Sequence, residues 1–490
     1  MQTIAGGHTG RQYERLVIHN AMVVSGRGTP AMGPVDLVIV GGYITDIVKA
    51  DPVSLARQPG GSERPTGDGA IDATGMYVLP GLIDMHAHVP TAAPHCGPCS
   101  ADYAYRLWLG HGVTTLRTCG FGNEATLYEH RRLLSQDTTM PVPRLTILHG
   151  WPRDERFTDD DVMRRVADYG ELGADGIKLI GCEPEVLGPV CEGAEEADLP
   201  AGVAVHLSLH SEADAVMASE AGVRTIEHTY GIPEAVLPRV QSFPPHYNEM
   251  DELERFRQSG FPWLEADNYP ERVDAVLDLL IANETAWNPT LAVYEANRDL
   301  MRAQTAVYNQ RYATPGILKL WTPTPGVHAS FHFDWKTSDE VAWKLKYQIW
   351  LRYLRQFFER GGVVTAGSDA GYLYTLYGCA MIRELELLQE AGLHPLDVIK
   401  VATTNAAATM GRFDLAGGVR KGYPADLAIV DGNPLDNFKV MYGTGVEKYT
   451  ADRETRVPAG GVRWTVRDGV VFDARALLQD VERYVAELRQ

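Results

Sequence analysis

The sequence predicts an α/β fold, a (β/α)₈ barrel joined to a smaller β-sandwich domain built from both ends of the chain. From residue 100 onward, short apolar runs alternate with helical stretches, which is typical of βα units and a parallel sheet. With "GLIDMHAH" there are eight such runs, as a closed barrel requires. β-rich segments precede and follow this region. We therefore expect residues 81–414 to form the barrel, and 1–80 with 415–490 to form the composite domain.

The elements follow one another in a regular order. "RLVIHNAMVV", "VDLVIVGGYITDIV" and "GMYVLPGLID" predict short N-terminal strands, because they are β-rich and are broken by Gly, Pro and Asn. The barrel strands are predicted at "GLIDMHAH", "GVTTLRT", "RLTILHG", "DGIKLIG", "GVAVHLS", "RTIEHTYG", "AWNPTL" and "GVVTAGSDAG". The β pattern returns near the C-terminus in "ADLAIVDGNP" and "GGVRWTVRDGVVF".

Residues 291–350 separate the seventh and eighth predicted strands and are far longer than an ordinary βα connection. This insert is rich in Trp, Tyr and Phe. Two interpretations stay open: helices that pack on the barrel through an aromatic stripe, or a lid that forms an apolar wall for a substrate.

Composition narrows the class of protein. The 490 residues suffice for one large and one smaller domain. The net charge of −19 argues against a nucleic-acid or anionic-membrane partner. No apolar stretch approaches the ~18 residues of a membrane span, and the N-terminus lacks a signal-peptide pattern. Six sparse cysteines, with a single Cys-x-x-Cys pair at Cys96 and Cys99, suit a reducing compartment. We expect a cytoplasmic homo-oligomer that acts on a small molecule.

The segment "GLIDMHAH" ends a predicted strand with His86 and His88. Residues i and i+2 of a strand point the same way, so both imidazoles converge on one point. Neutral imidazole is a common metal ligand. Taken alone, the pair is equally compatible with a solvated strand end.

Other strand ends carry polar groups as well. In a barrel of this kind, catalytic groups come from the C-terminal ends of several strands. The candidates are His86, His88, Lys178, His206, His210, His228 and Asp369. Each has an ordinary alternative, since Lys178 could form a buried ion pair and Asp369 could cap a helix. Their joint placement at the ends of five strands indicates a site.

These residues lie in motifs that resemble the metal-dependent amidohydrolase superfamily. The matching segments are "VLPGLIDMHAHV", "GVTTLR", "GADGIKL", "AGVRTIEH", "GSDAG" and "TTNAAATMGRFDLAGGVRKGYPADLAIVDGNPL", and the resemblance covers roughly residues 16–475. It implies a (β/α)₈ barrel with a composite β-sandwich domain. It also implies one or two divalent ions, zinc by expectation, held by His86, His88, the strand-five histidine, His228 and Asp369. Lys178 would carry a CO₂-derived carbamate that bridges two ions, because a bare ammonium has no lone pair to offer a cation.

The strand-five ligand is either His206 or His210. In the prolidase-like and ochratoxinase-like branch it stands about twenty residues before the strand-six histidine, by resemblance, whereas His206 and His210 stand 22 and 18 residues before His228. We prefer His206, which ends the apolar run. If His210 were the ligand, His206 would lie deeper in the barrel core, where its ring nitrogens would need buried partners. A second departure is Thr118, where the family often has Asp.

The resemblance implies a hydrolase in which two metal ions share a hydroxide that attacks a carbonyl. Asp369 would accept the proton and pass it to the leaving nitrogen. His149, Tyr230 and Tyr372 are placed to contact the substrate.

The predicted reaction is cleavage of an amide, urea or carbamate-type C–N bond. The aromatic insert favours an aryl or apolar substrate. No strand-end motif contains an Arg or Lys that is evidently placed to bind a substrate carboxylate. This favours a neutral amide, urea or thiocarbamate as the substrate, as in phenylurea- and molinate-hydrolase-like members. The alternatives are a dipeptidase or N-acyl amino acid hydrolase and a non-catalytic scaffold. A mononuclear deaminase is disfavoured, because Lys178 is present and Leu207-Ser208-Leu209 follows His206 in place of His-x-x-Glu.

Overall fold

The computed structural model describes residues 4–50, 53, 64–90, 97–120, 124–152, 158–207, 213–237, 247–248, 251–322, 335–412 and 416–490. The strands are β1 (Arg15–Val23), β2 (Met32–Val40), β3 (Tyr43–Lys49), β4 (Gly69–Asp72), β5 (Tyr77–Pro80), β6 (Leu82–Ala87), β7 (Val113–Cys119), β8 (Arg144–Gly150), β9 (Gly176–Ile180), β10 (Gly202–His206), β11 (Thr225–Glu227), β12 (Ala286–Asn288), β13 (Leu427–Val430), β14 (Val446–Tyr449), β15 (Arg456–Ala459), β16 (Val462–Arg467) and β17 (Val470–Asp473).

The helices are α1 (Ala101–Gly110), α2 (Glu124–Gln136), α3 (Asp159–Glu171), α4 (Pro184–Glu196), α5 (Ala215–Glu220), α6 (Ile232–Val236), α7 (Glu252–Gln258), α8 (Pro262–Ala266), α9 (Pro270–Ala282), α10 (Leu291–Arg298), α11 (Leu300–Gln304), α12 (Val307–Tyr312), α13 (Pro315–Leu320), α14 (Thr337–Glu359), α15 (Cys379–Glu390), α16 (Pro395–Lys400), α17 (Ala406–Thr409) and α18 (Ala474–Leu488). A π-helical turn, Val401–Asn405, joins α16 to α17, and Phe438–Met441 forms a 3₁₀ turn.

The parallel sheet runs β6 to β12 in sequence order, and helices connect its strands. Every residue of β6 and β7 is buried, as expected for strands covered on both faces. The eighth predicted strand closes the barrel through two parallel bridges, Trp287 with Val364 and Ala87 with Ala370. The predicted (β/α)₈ barrel with an additional sheet domain is confirmed.

One glycine explains how this last segment approaches the barrel interior. A Cβ on Gly367 would lie 2.8 Å from the Asn288 amide and from His86 Cβ. Only glycine lets this backbone approach both side chains so closely. The segment that carries Asp369 is thereby held against β6.

The second sheet combines strands from both ends of the chain, in the order β17-β16-β13-β5-β1-β2-β3, with β4 also paired to β1. It has its own apolar cluster, which includes Leu16, Val78, Leu427 and Val466. Only Gly81 separates β5 from β6, so the end sheet leads directly into the strand that carries His86.

The described part of the insert is helical, from α10 to the middle of α14. Tyr294, Trp343, Tyr347 and Trp350 are buried in the main apolar cluster, which supports the helix-packing interpretation. The Tyr347 hydroxyl donates to the Leu291 carbonyl at 2.8 Å, which fixes α14 to α10. Among the described residues, no helix is long and apolar enough to cross a membrane.

Candidate active site

Three predicted ligands meet at the C-terminal end of β6. His88 Nε2 lies 2.9 Å from Asp369 Oδ1, and His86 Nε2 lies 3.8 Å from the same oxygen. One ligand atom from each residue falls within a 4.8 Å cluster. Both histidine side chains are 2% exposed. The i, i+2 spacing on β6 therefore does bring the two rings to one carboxylate.

His228 and His206 continue this cluster along the strand ends. The His228 ring centre lies 4.7 Å from that of His86 and 4.3 Å from that of His206. His228 Nδ1 is also 3.8 Å from Asp369 Oδ2. Thr290 Oγ1 hydrogen-bonds His228 Nδ1 at 2.5 Å and so fixes the orientation of the ring.

Two residues of the cluster have unusual backbone conformations. His228 and Asp369 have φ values of 65° and 50°, in the left-handed region that non-glycine residues seldom adopt. Each is held by a backbone hydrogen bond of 2.8 Å, from His228 N–H to the Asn288 carbonyl and from Asp369 N–H to the His86 carbonyl. Such held strain is concentrated at functional sites.

Lys178 on β9 is 1% exposed, and its Nζ has no hydrogen-bond partner among the described residues. Burial lowers the pKa of His86 to about 4, and the charge of Lys178 adds to this shift. Burial and then the charge of His86 lower the pKa of His228, and Lys178 contributes again. The lysine is therefore within electrostatic range of both histidines.

The carboxylate of Asp369 is held ionised. Burial opposes ionisation, but the electrostatic interaction with His86 and the hydrogen bond from His88 lower the pKa of Asp369 below its ordinary value. An ionised carboxylate can both bind a cation and accept a proton.

A buried carboxylate that the sequence analysis missed orients His86. Glu227 Oε2 lies 2.7 Å from His86 Nδ1 and accepts from Asn288 Nδ2 at 2.7 Å. Arg117 Nη2 donates to Glu227 Oε1 at 2.5 Å, and Thr225 Oγ1 donates to the same oxygen at 2.6 Å. The contact between Glu227 and His86 Nδ1 directs the other ring nitrogen of His86, Nε2, toward Asp369. Charged residues inside the apolar runs "GVTTLRT" and "RTIEH" were the signal available in the sequence.

A second buried carboxylate ties the eighth strand segment to β6. Asp84 accepts from Ser368 N–H at 2.8 Å, from the Ser368 hydroxyl at 2.5 Å, and from Trp108 Nε1 at 3.1 Å. Since Ser368 precedes Asp369, these bonds help to fix the position of the Asp369 carboxylate.

Cys119 also approaches His86 and Glu227 closely enough to form a ligand cluster. Burial raises the pKa of the Cys119 thiol to about 12. Only a thiolate is a strong metal ligand, and Glu227 is already neutralised by Arg117. The His86, His88 and Asp369 set is therefore the better cation site.

The predicted substrate residues have different surroundings. Tyr230 stacks on His206, with ring centres 5.4 Å apart and planes at 13°, and Tyr372 meets His88 edge-on at 5.2 Å. His149 instead stacks on Tyr169 at 3.8 Å and hydrogen-bonds the Tyr128 hydroxyl at 2.9 Å, so its described contacts are with the outer helices. His210 lies outside the described residues.

The family model described as "Amidohydrolase family" matches residues 77–240 and 352–470, more than half of the chain. The chain therefore belongs to the amidohydrolase family, a family of hydrolytic enzymes. The two matched regions carry strands β6 to β11 with the histidine cluster, and the segment of Asp369. The whole aromatic insert, residues 291–350, falls in the gap between them.

Three curated relatives are similar over different lengths. An adenine deaminase of Geobacillus kaustophilus is 34% identical over 104 residues, 20% of this chain and 16% of that protein. Ochratoxinase of Aspergillus niger is 41% identical over 83 residues, 16% of either chain. The chain thus spans about a sixth of the length of these two relatives. A deaminase of 5-methylthioadenosine and S-adenosylhomocysteine from Natronomonas pharaonis is 24% identical over 86% of this chain and 89% of its own.

Solved structures share the fold. A Xaa-Pro dipeptidase with bound methionine has a TM-score of 0.61 at 19% identity and covers 94% of this chain and 100% of its own. Bottromycin amidohydrolase has a TM-score of 0.65 at 20% identity, with 97% and 91% covered. At such identities the likeness establishes the architecture alone.

Proposed function

We propose that the protein is a metal-dependent hydrolase that cleaves an amide, urea or carbamate-type C–N bond of a small substrate with an aromatic or apolar part. One observation carries the proposal: His86, His88 and Asp369 place three ligand atoms within 4.8 Å of one another in a buried site at the strand ends. Family membership supports the reaction class.

The residues fit divalent ions. Imidazole nitrogens and a carboxylate are the donors that zinc prefers in catalytic sites. His86, His88, His206, His228 and Asp369 would hold two ions. His210 remains the alternative ligand from the strand-five segment.

The amine of Lys178 supports a carbamate at this position. Lys178 is buried without a hydrogen-bond partner among the described residues, beside groups that would bind cations. Loss of a proton from the ammonium, followed by N–C bond formation between the neutral amine and CO₂ with release of a second proton, would replace a cation by a carbamate, an anionic oxygen donor. That group could be shared by two ions.

When bound, such ions would lower the pKa of water and polarise a substrate carbonyl. Asp369 is ionised and lies at the centre of the cluster, so it can accept a proton from the attacking water. The same carboxyl can then donate to the leaving nitrogen. Tyr230 and Tyr372 offer ring surfaces on either side of the histidines, which suits an aryl or apolar group.

The proposal is tested with a panel of aryl amides, phenylureas and N-acyl amino acids, assayed before and after chelation and after zinc is restored. We expect hydrolysis of at least one class, its loss on chelation and its recovery with zinc. Hydrolysis that survives complete metal removal would contradict the proposal, and so would failure of the zinc-loaded protein to cleave any member.

A further inference from the structure

A second buried lysine lies in the insert. Lys346 on α14 is 1% exposed. Its Nζ lies 3.8 Å from the ring centre of Trp343 and 5.7 Å from those of Tyr230, Tyr294 and Trp350. Among the described residues no acceptor hydrogen-bonds this nitrogen. Four aromatic rings therefore surround an amine whose hydrogen-bond donors are unused.

The aromatic cage favours a cation but does not complete its coordination. Ring faces attract an ammonium electrostatically, yet they cannot accept its three hydrogen bonds as water or a carboxylate would. Burial lowers the pKa of Lys346 to about 7, and the charge of Glu234 only partly opposes this shift. The Glu234 carboxylate is engaged elsewhere, since it accepts the Gly231 N–H at 2.7 Å. An anion that reached Nζ would satisfy the donors and hold the charge.

The cage borders the histidine cluster. Tyr230 contacts Lys346 and also stacks on His206 at 5.4 Å. Tyr294 contacts Lys346 and meets His228 edge-on at 5.6 Å. The same two tyrosine rings thus contact both the amine and two candidate metal ligands.

We infer that Lys346 binds a carboxylate carried by the substrate, so that the substrate is an N-acyl amino acid or a short peptide with its carboxylate close to the scissile amide. The inference rests on the proposed function and names its substrate class. It reverses the expectation of a neutral substrate. That expectation rested on the strand-end motifs alone, which contain no Arg or Lys placed to bind a carboxylate. The positive charge comes instead from Lys346 on a helix of the insert. Tyr230 and Tyr294 would pack against the apolar side chain of the substrate.

The first test compares two substrates that differ only in the carboxylate, N-benzoylphenylalanine and N-benzoylphenethylamine. The zinc-loaded wild type should prefer the acid by about 100-fold in kcat/KM, the scale of an ion pair in a desolvated site. Lys346→Met should lose that preference mainly through KM and keep its activity on the neutral amide. Lys344→Met is the matched control, because Lys344 is an exposed lysine on the same helix, and it should behave as wild type.

The second test measures binding without turnover. The fluorescence of the nine tryptophans, of which Trp343 and Trp350 lie beside Lys346, is followed while hydrocinnamate or hydrocinnamyl alcohol is added. The wild type and Lys344→Met should bind the carboxylate about 100-fold more tightly than the alcohol, and Lys346→Met should bind both equally. Equal affinity of the wild type for the two ligands would overturn the inference, and that result needs no variant to fold. Unchanged carboxylate binding by folded Lys346→Met would also overturn it.

The two proposals fail differently. If neither these two amides nor any member of the panel above is cleaved in a metal-dependent way, the proposed function fails, while the fluorescence titration still decides the role of Lys346. If both amides are cleaved equally well by the zinc-loaded wild type, the hydrolase stands and the carboxylate site is wrong.

Discussion

Lys178 and Lys346 are both 1% exposed, and neither Nζ has a hydrogen-bond partner among the described residues. Their surroundings differ in kind. Lys178 lies within electrostatic range of imidazoles that would bind cations, whereas Lys346 lies among aromatic faces that attract a cation. The same residue type is thus suited to become an anion in one place and to bind an anion in the other.

The two regions also differ in their relation to the family. The histidine cluster lies on barrel strands within the matched residues, and Lys346 lies on the insert between the matched regions. In barrel enzymes the strand ends supply the chemistry, and the connecting segments vary the specificity. We therefore expect changes in the cluster to affect all substrates, and changes in the aromatic cage to affect only some.

The largest effect is expected for Asp369→Asn. The amide cannot accept a proton, so kcat should fall by about 10³-fold for carboxylate and neutral substrates alike. Steady-state kinetics on the paired amides, with metal content measured in parallel, checks this. A fall in kcat for only one of the two substrates would contradict the separate roles of the histidine cluster and the aromatic cage.

Glu227→Gln should destabilise the protein by about 3 kcal/mol, because Arg117 would stay buried without its counter-charge. It should also weaken zinc binding by about 10-fold, because His86 loses the carboxylate that orients its ring. Denaturant unfolding and zinc titration measure the two effects. The double variant Glu227→Gln with Arg117→Met should recover stability but not zinc affinity; recovery of both would contradict an orienting role.

His206→Asn and His210→Asn decide the strand-five ligand. We expect His206→Asn to weaken binding of one ion by about 10-fold or more, and His210→Asn to leave binding unchanged. Competitive zinc titration of both variants provides the measurement. The opposite pattern would assign the ligand to His210 and leave His206 as a ring that packs against Tyr230.

The smallest expected effect concerns pH. The pKa of folded Lys346, about 7, lies below its unfolded value near 10.5, so folding releases a proton between these values. Stability should therefore rise with pH across this window, by about 1.4 kcal/mol per pH unit at most. Below pH 7 the amine is protonated in both states, and this contribution to stability is lost completely. Lys346→Met should lack this rise. Urea unfolding of both proteins between pH 7.5 and 9.5 avoids Glu234, whose pKa burial raises to about 7. Parallel pH curves for the two proteins would show that the amine is not desolvated.

Much of the fold was accessible from sequence, because apolar runs with polar residues at their ends follow the period of barrel strands. The pairing of His86 with His88 followed from alternation on one strand. The left-handed conformation of His228 and Asp369 depends on backbone bonds to other strands and leaves no local pattern. His149 ends its strand like the other candidates, yet its described contacts are with the outer helices, because a strand end does not specify the direction of a ring.

Lys346 illustrates what local sequence cannot show. It has the same sequence context as the exposed Lys344, two positions away on the same helix. Only tertiary packing distinguishes the face of α14 that meets Tyr230 and Tyr294. Glu227 and Arg117 are visible in the sequence as charges inside apolar runs, but their pairing is not, since a charged pair across two strands requires knowledge of which strands are neighbours.

The most direct test of the account is the zinc content per chain of protein purified without chelator, for wild type, Lys178→Ala and Lys346→Met. We expect about two ions in wild type and in Lys346→Met, and a clear loss in Lys178→Ala, because only Lys178 would supply a bridging carbamate. One ion or fewer in all three proteins, or two ions retained in Lys178→Ala, would contradict the binuclear site and the distinction between the two lysines.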